Sequence, residues 1–237
     1  MALEAKGLCK SFSGRKVVDS LSLSVAPGQV IGLLGPNGAG KTTSFHMIIG
    51  FLAADAGDVF LDGRAISRLP FYRGARLGIE YLPQEPSVFT RASVQENLDL
   101  VLEVTVTRGW ERIREELLAE FDLAPLRRQR AGSLSSGERR RLEIARVLAL
   151  SPRYILLDEP FSGIDPISVA DLKQEIGKLR DRGIGLVITD HNVRDALSIT
   201  DYTYLIYSGK VITAGTPDEI VTDPLARRFY LGEGFQA

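Results

Sequence analysis

The stretch from Val30 to Gly50 constrains the fold of this chain more than any other part of the sequence. An apolar run, Val30 to Leu34, precedes the segment GPNGAGKT at 35–42, and a helical segment follows it. The segment fits the pattern G-x-x-x-x-G-K-[ST] in the strand–loop–helix context that the pattern requires. Its glycines let backbone N–H groups point inward, and the helix aims its positive dipole end at the same point. The stretch therefore predicts a phosphate-binding loop (P-loop), for which a glycine-rich structural turn is the alternative.

Two side chains at the end of this loop suit the chemistry of a nucleotide. Lys41 would reach the β- and γ-phosphates, and the Thr42 hydroxyl would hold Mg²⁺, a hard cation that prefers oxygen ligands. ATP and Mg²⁺ are therefore the expected ligands. The loop residues expected to contact ATP are Asn37, Gly38, Ala39, Gly40, Lys41, Thr42 and Thr43.

The bulk composition limits the classes of protein to consider. The chain has 237 residues, of which 44% are hydrophobic, so it can bury the core of one large domain or two small ones. Its net charge of −1 gives no general attraction to nucleic acid or anionic lipid. A single cysteine, Cys9, excludes an internal disulfide and fits a reducing compartment. No apolar run approaches the roughly 18 residues of a membrane span, so a membrane role requires a partner.

Strand and helix patterns divide the chain into two kinds of segment. Strand signals occur in residues 1–84 and 153–237, with a hairpin region at 3–25 and strands at 58–61 and 79–82. A helix is expected at 169–180. Residues 85–152 carry helical patterns, beginning with a helix capped by Ser93. These patterns predict an α/β fold with an inserted helical segment.

A second half-site for a nucleotide follows the apolar run 154–157. Asp158 stands at the predicted carboxyl end of that strand, where a carboxylate beside the P-loop strand would hold Mg²⁺ opposite Thr42. Glu159, next to it, could orient or deprotonate a water for attack on the γ-phosphate. The alternative is a solvated acidic pair at a strand end.

His191 follows another buried run, GLVITD, at a predicted strand end. In α/β folds ligands bind at such strand ends, and we expect His191 to contact the γ-phosphate; a structural hydrogen bond is the alternative. His46, inside the P-loop helix, is expected to pack or face solvent. Gln84 is unremarkable by itself, and Phe12 by position alone favours a core role over stacking on adenine.

A third candidate for phosphate binding is the capping box that begins at Ser135. Ser135, the Gly137 N–H and the helix dipole make a site for an anionic oxygen. One chain does not need two helix N-termini for one γ-phosphate, whereas two chains arranged head to tail do. Arg139, Arg140 and Arg141 add positive charge nearby, although a solvated helix face is the expected role of at least two of them.

Six motifs occur in the order typical of an ABC-transporter ATPase subunit, which this chain resembles over nearly its whole length. They are the P-loop, Gln84, LSSGE at 134–138, YILLDEP at 154–160, SGID at 162–165 and His191. The resemblance implies one domain, 1–237, with a P-loop (RecA-like) ATPase core and an antiparallel β subdomain in 1–84 and 153–237. Residues 85–152 would form the inserted α-helical subdomain with the signature motif.

The same resemblance assigns roles that the residues alone do not. It implies that Phe12 stacks on adenine, reversing the preference from position, and that Arg15 and Val17 line the same pocket. It implies that Gln84 touches Mg²⁺ or the attacking water, and that Asp165 lies at a dimer contact. Glu159, His191, Lys41 and Gln84 are then the expected catalytic residues, with Ser135 and Gly137 acting on the ATP of a second copy.

Several segments look like the ATPases of bacterial lipopolysaccharide-export systems. They are LPQEPSVF, ERRRLEIAR, ILLDEPFSGIDPISV, ITDHNVRDAL and the ending YLGEGF. ATPases of branched-chain amino acid importers are the near alternative, and a nucleic-acid-acting P-loop ATPase is a remote one. Two positions depart from the family pattern: Ser136 stands where Gly is usual, and Phe12 replaces the common Tyr.

This resemblance implies a homodimer on the cytoplasmic face of the inner membrane, bound to transmembrane permease subunits and not to nucleic acid. A groove near Phe89 and Arg91 is expected to receive a short helix of the permease, with an apolar side chain against Phe89.

Overall fold

Two β-sheets and surrounding helices make up the computed structural model, which describes residues 1–106, 108–232 and 235. The strands are β1 (Leu3–Phe12), β2 (Arg15–Val25), β3 (Val30–Leu34), β4 (Ala56–Leu61), β5 (Arg64–Ala65), β6 (Ile79–Leu82), β7 (Tyr154–Asp158), β8 (Gly185–Thr189), β9 (Tyr202–Tyr207) and β10 (Lys210–Gly215). The α-helices are α1 (Lys41–Ile48), α2 (Phe71–Arg76), α3 (Val94–Thr105), α4 (Trp110–Glu120), α5 (Ser136–Leu148), α6 (Pro166–Asp181), α7 (Val193–Leu197), α8 (Pro217–Thr222) and α9 (Pro224–Ala226). Short 3₁₀ turns lie at Ala124–Leu126 and Ala131–Ser133, and one π-helical turn at Arg227–Leu231.

The larger sheet positions the site. Its strand order is β10-β9-β3-β8-β7-β6, and all neighbours are parallel except the β10–β9 pair. Every residue of β3, β7 and β8 is buried, as expected for parallel strands covered on both faces. Because parallel strands end at the same edge, the P-loop and the residues after β7 and β8 meet there. The predicted α/β fold is confirmed.

The second sheet is antiparallel, with strand order β2-β1-β4-β5. Strands β1 and β2 form the hairpin expected at residues 3–25, paired from Leu3 with Val25 to Phe12 with Arg15. Its apolar side chains share one buried cluster with α1 and the larger sheet, including Leu21, Ile31 and Phe45. This packing fixes the P-loop helix between the two sheets.

Helices α3, α4 and α5 belong to a different buried cluster, on the other side of the larger sheet. Leu98, Leu118 and Leu142 pack there with Ile155 of β7. Helix α3 begins with the predicted cap, because the Ser93 hydroxyl accepts from the Glu96 N–H at 3.2 Å. The helical insertion thereby borders the strand that carries Asp158.

Two predicted element boundaries are wrong. Strand β4 begins at Ala56 rather than Asp58, because Ala56 pairs with Cys9 of β1. Helix α6 begins at Pro166 rather than Val169, because Asp165 Oδ1 caps the N–H groups of Ile167 and Ser168, each at 3.1 Å. The sequence patterns also did not predict α2 and α7.

The ending YLGEGF includes two residues, Glu233 and Gly234, that lie outside the described residues. Within the described part of the chain, no helix has the length and apolar character needed to cross a membrane.

Candidate active site

The P-loop connects β3 to α1 and is pressed against two other strands. Gly40, the residue before α1, has a left-handed φ of 108°, and a Cβ there would lie 2.7 Å from the Val17 carbonyl oxygen. A Cβ at Gly35 would lie 2.1 Å from the Ile206 carbonyl oxygen. The loop therefore has no room for side chains at these positions, and Val17 borders it; the expected place of Val17 in an adenine pocket stays a prediction.

Lys41 points back into the loop that precedes it. Its Nζ donates to the carbonyl oxygens of Gly35 at 2.8 Å and Pro36 at 3.2 Å, and the residue is only 6% exposed. Burial lowers the pKa of Lys41, and the carboxylates of Glu159 and Asp158 oppose that shift. A buried ammonium held by neutral carbonyls has a strong preference for an anionic partner, such as a phosphate.

A cleft of about 450 Å³ opens beside Lys41, a volume within the usual range for ligand sites. Seven of the residues that line it were predicted from the sequence, and Ser162 was not. The lining residues are Asn37, Gly38, Lys41, Thr42, Gln84, Glu159, Ser162 and His191. The structure thus brings the loop, the Asp-Glu strand end and the histidine strand end into one cleft.

Three predicted catalytic side chains meet at one carboxylate oxygen. Oε2 of Glu159 accepts from Gln84 Nε2 at 3.0 Å and lies 3.2 Å from His191 Nδ1. Glu159 has a φ of 45°, which is uncommon for a residue with a side chain, and its N–H donates to the Thr189 carbonyl oxygen at 2.9 Å. The backbone after β7 is therefore held in an unusual conformation that directs Glu159 into the cleft.

Asp158 is 3% exposed and both of its carboxylate oxygens have donors. Oδ1 accepts from Thr189 Oγ1 at 2.5 Å, and Oδ2 accepts from the Tyr81 hydroxyl at 3.1 Å. The sequence reasoning missed both donors, although each lies on a strand that it predicted. The sequence carried no signal for either donor, because only the structure shows that β6 and β8 flank β7.

The oxygen donors at this edge fit Mg²⁺. Thr42 supplies a hydroxyl, Gln84 an amide and Asp158 a carboxylate, which are the hard ligands that this ion prefers. Thr42 and Gln84 line the cleft, whereas Asp158 does not line it and lies buried at the end of β7, directly before Glu159. Asp190, before His191, is fully buried and accepts from the N–H groups of Phe161 at 3.0 Å and Asn192 at 2.7 Å. Burial raises the pKa of Asp190.

Ser135 and Gly137 do not line the P-loop cleft of their own chain. The Ser135 hydroxyl accepts from the Glu138 N–H at 3.3 Å and the Ser135 N–H donates to Glu138 Oε2 at 2.8 Å, which completes the predicted capping box. The next residue, Ser136, lines an adjacent cavity of about 220 Å³ together with Gln84 and Glu159. The contact of Ser135 with the nucleotide of a second chain stays a prediction.

Phe12 and Arg15 lie at the tip of the β1–β2 hairpin. Phe12 is 46% exposed and pairs with Arg15 across the turn, so the core role that its position alone favoured is wrong. Lys10 Nζ lies 5.8 Å from the centre of the Phe12 ring. An exposed ring leaves a face available for stacking.

The predicted partner residues, Phe89 and Arg91, are exposed and lie before α3. Phe89 is 50% exposed, and its N–H and carbonyl groups bond the Asn97 side chain at 2.9 and 3.1 Å. The guanidinium of Arg146 lies 4.8 Å from the centre of the Phe89 ring. Asn97 and Arg146 were missed, because their contacts with Phe89 arise only in the folded chain.

The chain is similar to known proteins over most of its length. A family model described as ABC transporter matches residues 18–162. The chain is 54% identical over 236 residues to the "Lipopolysaccharide export system ATP-binding protein LptB" of Acidithiobacillus ferridurans, covering 99% of this chain and 98% of that relative. The protein of the same name from Escherichia coli (strain K12) is 51% identical over 237 residues, with the same coverage.

A solved structure supports the fold over the whole chain. The crystal structure of the ADP conformation of MJ1267, an ATP-binding cassette of an ABC transporter, matches with a TM-score of 0.88 and 30% identity. The match covers 98% of this chain and 100% of that one. The chain therefore belongs to the ABC transporter family and has the fold of its ATP-binding cassettes.

Proposed function

We propose that this chain is the ATP-binding and ATP-hydrolysing subunit of an ABC transporter that extracts lipopolysaccharide from the inner membrane and exports it. The assignment of lipopolysaccharide as the cargo rests on the chain's full-length identity of 54% and 51% to two relatives named as lipopolysaccharide-export ATP-binding proteins. The cleft that joins Lys41, Glu159 and His191 supports the chemistry.

ATP would lie along the cleft from the hairpin tip to His191. Its adenine would stack on the exposed face of Phe12, beside Arg15 and Val17. Its phosphates would lie on the loop residues 37–43, with Lys41 exchanging carbonyl oxygens for phosphate oxygens. Thr42, Asp158 and Gln84 would hold Mg²⁺, which supplies positive charge beside the β- and γ-phosphates.

The chain's own side chains would then act on water. Glu159 would accept a proton from the attacking water or orient it, since its carboxylate faces the cleft. Gln84 donates to that carboxylate and His191 lies beside it, so both limit its orientation. The His191 side chain is 56% exposed and would contact the γ-phosphate from this position.

The complete site would need a second copy of the chain. Ser135 and Gly137, at the beginning of the 13-residue helix α5, present N–H groups and a helix dipole that suit a γ-phosphate. Because they do not line their own chain's P-loop cleft, a head-to-tail homodimer would supply them. Asp165 would lie at the same dimer contact. Closure on ATP would move the membrane partner, and hydrolysis would reset it.

The domain assignment is part of the same proposal. Residues 1–84 and 153–237 would form the ATPase core with its antiparallel β subdomain, and residues 85–152 the helical subdomain. Helices α3, α4 and α5 share one apolar cluster with Ile155 and Leu186 of the larger sheet, which supports a single domain in which the helical subdomain packs on the core.

The permease would dock at the surface around Phe89 and Arg91, which places the subunit peripherally on the cytoplasmic face of the inner membrane. Phe89 supplies an exposed apolar ring, and Arg91 and Arg146 supply positive charge beside it. Such a combination suits a short helix with an apolar residue and an acidic neighbour.

Phe89→Ala is expected to weaken the complex with the permease at least thirtyfold while the free subunit still binds ATP. Truncating an aromatic side chain at the centre of an interface commonly has an effect of about 2 kcal/mol or more. Co-purification with the membrane proteins and ATP binding by calorimetry measure the two results. Phe60→Ala is the matched control, since Phe60 also lies under a cation, Lys6, at 5.0 Å, on the antiparallel sheet. Intact co-purification of Phe89→Ala would refute the docking surface.

The cargo is tested by purifying the complex from native membranes and identifying the bound transmembrane proteins and lipid. Lipopolysaccharide in the purified complex is the expected result. A permease that binds branched-chain amino acids would overturn it in favour of an importer. DNA binding with a steep salt dependence would instead indicate a nucleic-acid-acting ATPase.

A further inference from the structure

Tyr81 is a strand residue that reaches the candidate magnesium site from the side. It lies in β6, where it pairs with Leu156 of β7, two residues before Asp158. Its hydroxyl donates to Asp158 Oδ2 at 3.1 Å. Tyr81, in β6, therefore contacts the carboxylate of Asp158, in β7, which is expected to bind the ion.

The ring of Tyr81 is held in place by three other rings. Phe45, His46 and Phe51 pack against it edge to face, with centroid distances of 6.4, 5.7 and 6.2 Å. These contacts restrict the direction of the hydroxyl before any ligand binds. His46 Nε2 also lies 3.5 Å from the Tyr81 hydroxyl oxygen.

The hydroxyl acts as a donor at neutral pH. A tyrosine hydroxyl is protonated at neutral pH, and the Tyr81 hydroxyl directs its proton at Oδ2. With Thr189 Oγ1 on Oδ1, each oxygen of this buried carboxylate has its own donor, which fixes the rotation of the carboxylate plane.

We propose that Tyr81 is a positioning residue for the magnesium ion, acting through Asp158; the inference rests on the proposed nucleotide-binding function. Partners that hydrogen-bond a metal-binding carboxylate orient it, and their loss commonly lowers metal affinity 10- to 100-fold. Without the hydroxyl, the Asp158 carboxylate would turn about its remaining bond to Thr189. It would then present its oxygens to the ion in more than one orientation.

The test compares the wild-type chain with Tyr81→Phe, which keeps the ring contacts and removes only the hydroxyl. The dissociation constant of the nonhydrolysable analogue AMP-PNP is measured by calorimetry with excess EDTA and with excess Mg²⁺. We expect equal affinities of the two proteins in EDTA. In Mg²⁺ we expect Tyr81→Phe to bind about tenfold more weakly, so the gain in affinity that Mg²⁺ gives shrinks tenfold.

The matched control is Tyr204→Phe. The Tyr204 hydroxyl also has a hydrogen bond, which it accepts from the Ser24 N–H at 3.2 Å. Tyr204 lies in β9, which β3 and β8 separate from β7 and Asp158. This variant should retain the wild-type gain from Mg²⁺. Thermal melting of both variants shows whether any lost affinity reflects a less stable fold.

If Mg²⁺ increases the affinity of Tyr81→Phe for AMP-PNP as much as it does for the wild type, the positioning role is overturned, whatever the melting temperature of the variant. Equal weakening of AMP-PNP binding in EDTA and in Mg²⁺ would also overturn it, because the hydroxyl would then support the fold and not the ion. A wild-type chain that binds no nucleotide in either condition would contradict the proposed function itself, and the inference with it.

Discussion

Replacing Glu159 by glutamine is expected to lower kcat for ATP hydrolysis by a factor of about 10² to 10⁴, the usual contribution of a general base. An amide has nearly the same shape as the carboxylate but cannot accept the proton of the attacking water. Glu159 is not the residue that would hold the phosphates, which are expected to lie on the P-loop and Lys41. ATP should therefore still bind, and the ATP-bound homodimer should accumulate because the step that dissolves it is slow.

Three measurements check this prediction on the full chain: phosphate release, ATP affinity by calorimetry, and oligomeric state with and without ATP by light scattering. Glu111→Gln is the matched control, because Glu111 is an exposed residue in the first turn of α4, away from the cleft. Turnover at the wild-type rate in Glu159→Gln would remove Glu159 from the mechanism. Loss of ATP binding would instead show that Glu159 holds the nucleotide.

Most of this cleft could be predicted because its residues occur next to strand signals. The P-loop follows β3, Glu159 follows β7 and His191 follows β8, and a parallel sheet brings such strand ends to one edge. The order of strands was not available from the sequence. The close approach of Gln84 Nε2 to Glu159 Oε2, at 3.0 Å, therefore had to come from the structure.

Three of the residues that were missed have partners that are distant in the chain. Tyr81 and Thr189 look like ordinary strand residues, yet they bond Asp158 across 77 and 31 positions. Arg146 looks like a solvated helix residue, yet its guanidinium lies over Phe89. Periodicity identifies the buried face of a strand or helix, but not which neighbouring element that face meets.

The prediction for Phe12 changed for a different reason. An aromatic residue before a glycine turn packs in the core more often than it stacks on a ligand. The position of Phe12 in the sequence did not argue against a core role. The structure leaves Phe12 46% exposed at the hairpin tip. Phe12 is the last residue of β1 and pairs with the first residue of β2, so it lies at the end of the hairpin, where the core does not cover it.

Lys41→Ala is expected to reduce ATP affinity at least a hundredfold, which corresponds to about 2.7 kcal/mol. The Lys41 ammonium is buried, and its Nζ donates to the carbonyl oxygens of Gly35 and Pro36. A phosphate oxygen would replace a neutral acceptor by a charged one, and hydrogen bonds between two charged groups are the stronger kind. Alanine removes both the charge and the donor, and it leaves the loop N–H groups to hold the phosphates alone.

Calorimetric titration with ATP and Mg²⁺ measures this loss of affinity. Lys210→Ala is the control for a change of net charge, because Lys210 is exposed and pairs with Asp19 at 3.3 Å. Since Lys41 also bonds the loop itself, thermal melting of Lys41→Ala must show a folded chain before its affinity is compared. If a folded Lys41→Ala binds ATP as tightly as the wild type, the phosphates do not lie on this loop. The proposed positions of Thr42, Asp158 and Gln84 around Mg²⁺ would then be wrong as well, because all three are placed relative to those phosphates.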